Sequence, residues 1–493
     1  MCGITGIISN GDASLEMIEG LTSLQHRGQD SAGMVSYSDK FHLRKGLGLA
    51  REVFHPEHIA RLQGPMAIGQ VRYPTAGVIT IEEVQPFIVN SPYGIAMTFN
   101  GNIYNSEDLR EELFETEHRQ INSSSDGEVL LNLFASGMVK NQSSGDIFES
   151  ICHAVKHVHD KARGGYAVVG IIAGKGLFAF RCPHGIRPLV WGTRDSSFRT
   201  EHIFASENTA FEVLDYNFAR DLDPGEVVFV NTKGEVFSRV ITRKEFRPCI
   251  FEYVYFARVD ALLNGVSVYR ARLRMGQNLG AKIKKLHPNL PIDVVVPAPQ
   301  SATTAALSCA HELGVRYSEG IVKNHFIGRT FIMPGQKIRK KANKYKLSVI
   351  DLEVKDKNVL VVDDSIVRGN VSRHIVDIVR KHGAKKVYFA SASPPLRWPD
   401  LYGIDLPTRE EYIAYNRTEE EIRKEIGADE LIYQDLDDLI EAVTRKGDLK
   451  FTRLHTAFFD GDYCTGDVTE DTLRIAEERR RKDKSAIEAD QVE

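Results

Sequence analysis

The sequence predicts two folded domains of different class, a layered α+β domain followed by an α/β domain built on a parallel sheet. Three observations lead there. At 493 residues the chain is too long for one ordinary core. Its first 240 or so residues are rich in short alternating or apolar runs broken by glycine and proline. After "RKEFRPCIFEYVYFARVD" the pattern changes to buried-strand runs alternating with amphipathic helices.

In the first domain, taken as residues 2–240, the runs "PMAIGQVRYP", "YGIAMTFNGNIY", "GYAVVGIIAGKGLFAFR" and "GEVVFVNTKGEVFSRVI" read as strands joined by turns. The segment "DGEVLLNLFASGMV" predicts a helix between them. In the second domain, taken as 250–465, "IDVVVPAP", "SATTAALSCAHELG", "KNVLVVDD", "NVSRHIVDIVRKHGA" and "KKVYFASAS" alternate strand and helix. That order implies helices on both faces of a parallel sheet, with ligands at the strand ends. Residues 466–493 are dense in charge and predict a solvated helix fraying into a loose tail.

Composition excludes several function classes. Hydrophobic content is 42% and charged content 26%, as in ordinary globular chains. Net charge is -4 with both signs interspersed, which argues against nucleic-acid and membrane-surface partners. Acidic neighbours argue against a nucleic-acid role for Arg479, Arg480, Arg481 and Lys482 as well. Six cysteines, Cys2, Cys152, Cys182, Cys249, Cys309 and Cys464, lie far apart and form no CxxC pair. Neither a disulfide framework nor a zinc site is expected, and a reducing compartment fits. No apolar stretch approaches the ~20 residues that span a bilayer. The first residues lack the charged start and long apolar core of a signal peptide. A cytoplasmic protein is the expectation.

The opening "MCGITGI" places a thiol where loss of Met1 would leave Cys2 as residue one. A lone cysteine is usually a small buried hydrophobe. Here the thiol would share its residue with a free α-amine, whose ordinary pKa lies just below that of a thiol. The amine can accept the thiol proton, directly or through water, so the nucleophile carries its own base. A thiolate that attacks an amide carbonyl also needs an oxyanion hole. In "TFNGNIYN" the Asn100 amide and the backbone N–H of Gly101 are candidates. Arg72 in "QVRYPTAG" can hold a carboxylate as a planar fork, and Asp126 in "SSSDGE" can accept an ammonium. Singly, each is more often a surface ion-pair member. Together they describe a grip on the α-carbon end of an amino acid.

Five motifs, "MCGITGI", "LQHRGQDSAG", "VRYPTAG", "NGNIYN" and "SSSDGE", resemble the amino-terminal-nucleophile glutamine amidotransferase domain. The resemblance implies a four-layer αββα sandwich and hydrolysis of glutamine to glutamate and ammonia by Cys2.

The run "NVLVVDDSIVRGNVS" is a second chemical centre: a buried strand ending in two acids, a glycine loop, then a helix start. Backbone N–H groups there can cradle a phosphate, with Arg368 and Gly369 in the loop and hydroxyls from Ser365 and Ser372. Asp363 and Asp364 suit ribose hydroxyls and a water-bridged magnesium ion. A bare "VVDD" is a generic strand-to-helix turn. The full run resembles the diphosphoribosyl-binding signature of type I phosphoribosyltransferases. The basic stretch "KNHFIGRTFIMPGQKIRKK" reads as a lid in which Lys323, Arg329, Arg339 and Lys340 close over pyrophosphate.

Joined, and with "GIRPLV", "FEYVYFAR", "RTFIMPGQ" and "YGIDLP", the two halves resemble the amidophosphoribosyltransferase family over nearly the whole chain. The resemblance implies that glutamine, phosphoribosyl diphosphate and water give phosphoribosylamine, glutamate and pyrophosphate, the first step of purine synthesis. It also implies a homo-oligomer, often a tetramer, inhibited by purine nucleotides. Ammonia would pass between the sites through an apolar passage walled by Tyr253, Tyr255 and Phe256, which could equally be interdomain packing. Some members carry an iron–sulfur cluster and a propeptide. Here Cys2 follows Met1 directly, Cys249 matches one cluster ligand, and Asp400 stands where another cysteine is expected. Neither cluster nor propeptide is therefore expected.

The chain departs from the family pattern in places. Gln70 and Phe99 replace two histidines, Asn370 and Val371 replace two threonines of the phosphate loop, and Gln300 and Ser301 occupy a stretch that usually carries an acid. The altered phosphate loop motivates an alternative: a diverged paralogue that keeps glutaminase chemistry but has changed or lost phosphoribosyl transfer. A third reading, another amino-terminal-cysteine amidotransferase such as a glucosamine-phosphate or asparagine synthetase, conflicts with the phosphate signature of the second half.

Overall fold

In a computed structural model, residues 2–73, 80–140, 145–324, 347–404, 408–445 and 449–490 are described. The alternating runs of the first half form two antiparallel sheets. One has seven strands in the order Asn217–Asp221, Val190–Arg194, Glu201–Ala205, Gly3–Ile8, Met66–Arg72, Ser31–Tyr37 and Phe41–Leu47. The other has six, in the order Val236–Val240, Glu226–Asn231, Gly176–Arg181, Gly164–Ile172, Ile95–Ile103 and Phe87–Val89. Ile4, Ile8, Val35 and Ile68 of one sheet meet Ala96, Val169, Ile171 and Val228 of the other in a shared core. The helix Ser14–Ser23 covers the first sheet, and Asp126–Lys140 with Ile147–Lys161 covers the second. This is the expected αββα sandwich.

The second half forms a five-stranded parallel sheet, ordered Arg316–Tyr317, Val294–Pro297, Asn358–Asp363, Lys386–Ser391 and Glu430–Tyr433. Strand side chains alternate between its faces. Val294, Val359, Val361 and Phe389 pack with Ile375, Val379 and Ile422 from the helices Asn370–Lys381 and Glu419–Ile426. Val295, Leu360, Val362 and Ala390 pack with Leu279, Ile283, Ala306 and Cys309 from Val268–Leu286 and Thr303–Leu313. Helices on both faces are the arrangement that the alternation predicts.

The charged tail does not stand free: its helix Glu470–Asp490 buries Leu473 in the core and Glu477 against Arg409. Charge density hid a buried leucine and the ion pairs of Arg409 with Glu470 and Glu477, which dock the first turns.

"FEYVYFAR" forms a single π-helical turn, Glu252–Phe256, at the junction of the halves. Arg272 holds that turn by donating to the backbone oxygens of Tyr253, Tyr255 and Ala257 at 2.9, 3.1 and 2.9 Å. Tyr253 is wholly buried and donates its hydroxyl to Leu263, a packing role, whereas Tyr255 is 46% exposed.

Candidate functional site

The strand Gly3–Ile8 begins beside Cys2 and runs antiparallel to Met66–Arg72. Cys2 is buried, and its Sγ lies 3.7 Å from the backbone oxygen of Tyr73. Its backbone nitrogen donates to Asn100 Oδ1 at 3.1 Å, and its carbonyl accepts from Arg27 Nε at 3.0 Å. Met1 lies outside the described residues. Asn100, on the strand Ile95–Ile103 of the facing sheet, is wholly buried. Its Nδ2 has no hydrogen-bond partner among the described residues. An unpaired buried donor costs about 1–3 kcal/mol, so it suits an acceptor that arrives with a substrate. Gly101 follows on the same strand, opposite Tyr166.

Arg72 ends its strand and is nearly buried, 4.0 Å from Glu83. Asp126 opens the helix Asp126–Lys140 and accepts from the Ile103 N–H at 2.9 Å. Burial pushes its carboxyl up to about 6, while the Ile103 hydrogen bond and the Arg72 charge pull it down. Cys2, Asn100, Gly101, Arg72 and Asp126 thus gather around the adjacent ends of the two sheets. Carboxylates build the loop that carries Asp126: Glu83 accepts from the Ser124 N–H and hydroxyl at 2.7 and 2.9 Å, and Glu128 from the Ser123 N–H at 2.7 Å. At the two positions where the resemblance leads one to expect histidines, Gln70 Nε2 donates to the Phe99 carbonyl at 3.0 Å, and the Phe99 N–H donates to Gln85 Oε1 at 2.7 Å. Two glutamines therefore fix the strand just before Asn100.

Sequence reasoning missed the buried ion cluster behind Cys2. Arg27 NH1 and NH2 each donate to Glu252 at 3.0 Å, and Arg27 also pairs with Glu207, which takes His26 at 2.9 Å. Burial alone would raise Glu207, but the His26 and Arg27 charges win and bring it down to about 2. Arg27 lies within the quoted "LQHRGQ", where an arginine among residues of a buried turn is the signal; its partners lie about 180 and 225 positions away.

The second centre lies at the carboxyl end of the strand Asn358–Asp363, in the middle of the parallel sheet. Asp363 and Asp364 are adjacent and buried. The Asp364 N–H donates to Asp363 Oδ1 at 2.9 Å, Ser365 Oγ donates to Asp364 Oδ1 at 2.6 Å, and Ser301 Oγ donates to Asp364 Oδ2. Burial raises both carboxyls, and the neighbouring charge raises Asp363 further, while Arg272 draws Asp364 down. Ser301 therefore serves this acid in the stretch where a carboxylate was expected.

Gly369 precedes the helix Asn370–Lys381 with φ of 75°, a left-handed conformation that glycine adopts without strain. Ser372 is buried, Val371 is 63% exposed, and Arg368 is exposed, 3.4 Å from Glu411. Lys323 ends the strand Ile321–Lys323, paired with Leu347–Val349 at the base of the expected lid. Arg329, Arg339 and Lys340 lie outside the described residues.

Among the described residues, no group of three or more His, Cys, Asp or Glu side chains forms a metal cage. Asp363 and Asp364 nevertheless fit a magnesium ion that takes its other ligands from substrate and water: two buried carboxyls that repel each other are relieved by a divalent cation. No described helix is long and apolar enough to cross a membrane.

A glutamine amidotransferase domain model matches residues 75–213. Amidophosphoribosyltransferase of Pseudomonas aeruginosa is 49% identical over 482 residues, covering 97% of this chain and 96% of the relative. Those of Escherichia coli and Saccharomyces cerevisiae are 47% and 46% identical, covering 99% and 97% of this chain and 97% and 95% of the relatives. Among solved structures, glutamine phosphoribosylpyrophosphate amidotransferase from Bacillus subtilis, complexed with ADP and GMP, superposes with TM-score 0.82 at 35% identity, covering 94% of this chain and 97% of that one. A structure described as the allosteric regulatory enzyme of purine biosynthesis gives 0.85 at 34% identity, covering 97% and 99%. With two chemical centres in one fold and this similarity along the whole length, the chain belongs to the amidophosphoribosyltransferase family.

Proposed function

We infer that the chain makes phosphoribosylamine, glutamate and pyrophosphate from glutamine, phosphoribosyl diphosphate and water, the first step of purine synthesis. It is a transferase with a glutaminase centre. The observation that carries this reading is the union of both centres in one chain whose full length matches amidophosphoribosyltransferases. The alternative of a paralogue with lost phosphoribosyl transfer draws no support from that full-length match.

In the glutaminase centre, Cys2 attacks the side-chain amide of glutamine. With Met1 removed, its α-amine takes the thiol proton and returns it to the departing ammonia. Asn100 Nδ2 and the Gly101 N–H stabilise the oxyanion. Arg72 grips the α-carboxylate and Asp126 the α-ammonium. Arg27 holds the Cys2 carbonyl and so orients the nucleophile.

In the second centre, Asp363 and Asp364 face the ribose hydroxyls. They would hold magnesium, which supplies charge neutralisation for the diphosphate. Ser365, Arg368, Gly369 and Ser372 take the 5-phosphate, and Lys323 and Arg329 take the diphosphate. Water exclusion by the segment around Arg329 lets ammonia, rather than water, attack the sugar. We further propose a cytoplasmic homo-oligomer, a tetramer by family analogy, without an iron–sulfur cluster and inhibited by purine nucleotides. The ADP and GMP bound in the Bacillus subtilis structure support nucleotide inhibition.

The test measures pyrophosphate release with glutamine and, separately, with free ammonia. Release with both is expected. Glutamate formation without synthesis from either donor would overturn the reading in favour of the paralogue.

A further inference from the structure

The segment that leaves the second sheet crosses to the first domain. It starts at the phosphoribosyl centre, where the Ala392 N–H donates to the Asp363 carbonyl at 2.8 Å. It ends in the turn 400–404, seated on the strand that carries Asn100. Asn102 Nδ2 donates to the Leu401 carbonyl at 2.8 Å. At Gly403, φ is 112° and a side chain would lie 2.8 Å from Gly101 Cα, so only glycine allows this approach.

A buried ion network holds the turn. Asp400 Oδ2 accepts from the Tyr402 and Ile404 N–H groups at 3.0 and 2.7 Å and from Arg187 NH2 at 3.2 Å. Its Oδ1 lies 2.7 Å from His455 Nε2. Arg187 Nε donates to the Tyr402 carbonyl at 2.6 Å, and its NH1 lies 3.7 Å from Glu252 Oε1. Glu252 pairs with Arg27, which holds the Cys2 carbonyl. The side chains of Arg27, Arg187, Asp400 and His455 are wholly shielded from solvent. From Arg187 and Asp400, one arm reaches Cys2 and the other reaches Gly101 and Asn102. Asn100 closes the circuit through its hydrogen bond to Cys2.

We propose that Arg187 and Asp400 are positioning residues for amide splitting, which set the oxyanion strand against the nucleophile by clamping the turn 400–404 and anchoring Glu252 and Arg27. The proposal rests on the reading of Cys2 as nucleophile and Asn100 as oxyanion donor. The network contacts no reacting atom, so it acts on geometry alone.

The full-length variant Asp400→Asn keeps shape but removes the buried negative charge that faces Arg187 and His455. Its kcat with glutamine should fall by about 10- to 100-fold with KM within about threefold, the scale expected when a catalytic group is displaced by a fraction of an ångström to an ångström. Turnover with free ammonia should stay within about twofold, because that reaction bypasses the oxyanion strand. Should Asp400→Asn fail to fold, Asn102→Ala cuts the same clamp at its far end without touching a buried charge, and the same split between donors is expected. Unchanged glutamine turnover, or equal losses with both donors, overturns the proposal. Cys2→Ser run alongside separates the two levels: glutamine use surviving in that variant would overturn the nucleophile reading itself.

Discussion

Asn100 Oδ1 lies 3.1 Å from the backbone nitrogen of Cys2, while Nδ2 of the same amide is buried and unpaired among the described residues. In the proposed mechanism one side chain thus ties down the nucleophile's backbone and keeps a donor in reserve for the oxygen that becomes charged. Asn100→Asp keeps the acceptor and removes the donor. Glutamine-dependent kcat should drop by about 10²–10³-fold, the usual loss for one oxyanion donor, with ammonia-dependent synthesis unaffected. Steady-state assays with both donors check this, and equal losses would contradict the role of Nδ2.

Cys2→Ser substitutes a hydroxyl that is far harder to ionise at neutral pH. Glutamine use should disappear into the background of the assay, while synthesis from ammonia persists at the parental rate. Intact-mass measurement of the parent enzyme should give a chain that begins at Cys2. Full activity in a chain that retains Met1 would contradict a base supplied by the α-amine.

Asp126 gives the glutaminase a pH signature. Its carboxyl titrates at about 6 in the fold because burial disfavours the charge. As pH falls through that value it gains a proton and loses its hold on an ammonium. KM for glutamine should therefore rise about tenfold per pH unit below 6. Asp126→Asn should show a high KM with no inflection there. The linkage to stability has the opposite sense: a raised carboxyl favours the fold below its unfolded value of about 3.9 and loses that contribution as pH rises through 6.

Asp363 and Asp364 sit side by side in a buried site, where burial raises both carboxyls and the Asp364 charge raises Asp363 further by repulsion. Asp363→Asn relieves that repulsion but removes the proposed sugar and metal contact. Synthesis should fall by at least about 10²-fold with either donor, the scale of losing one charge-stabilising group. Glutamate formation by Cys2 should persist. A normal synthetic rate would remove Asp363 from the site.

Much of this was legible because it is local. The strand runs, the helix at Asp126 and the acids that close "NVLVVDD" each depend on neighbours a few residues away, and each folds as its pattern implies. The network behind the sites was not legible. Arg187 and Asp400 are 213 positions apart, and Arg27 and Glu252 are 225 apart. Sequence alone reads Asp400 as an absent thiolate, whereas the fold makes it the cap of a turn and the partner of Arg187. Ser301 is a similar case: in sequence it is a missing acid, and in three dimensions it donates to an acid 63 positions away. Long-range pairing of this kind leaves only a weak trace, a charged residue inside an apolar run such as "GIRPLV".

The phosphate loop offers the last prediction: the family resemblance leads one to expect two threonines where this chain has Asn370 and Val371. Gly369 takes the left-handed conformation that starts the helix, and Ser372 is buried. Backbone N–H groups at the helix start can receive a phosphate, and the two hydroxyls that the resemblance leads one to expect are not there. Val371 is 63% exposed, so giving it a hydroxyl buries no polar group. The double variant Asn370→Thr with Val371→Thr should lower KM for phosphoribosyl diphosphate by about 3- to 30-fold, each new hydrogen bond to a charged phosphate contributing about 1.5–3 kcal/mol less the cost of ordering it. Stability should stay within about 0.5 kcal/mol of the parent, as for other exposed substitutions. Initial rates at varied phosphoribosyl diphosphate, together with a urea melt, measure both quantities. An unchanged KM at unchanged stability would mean that the backbone alone holds the 5-phosphate in this chain.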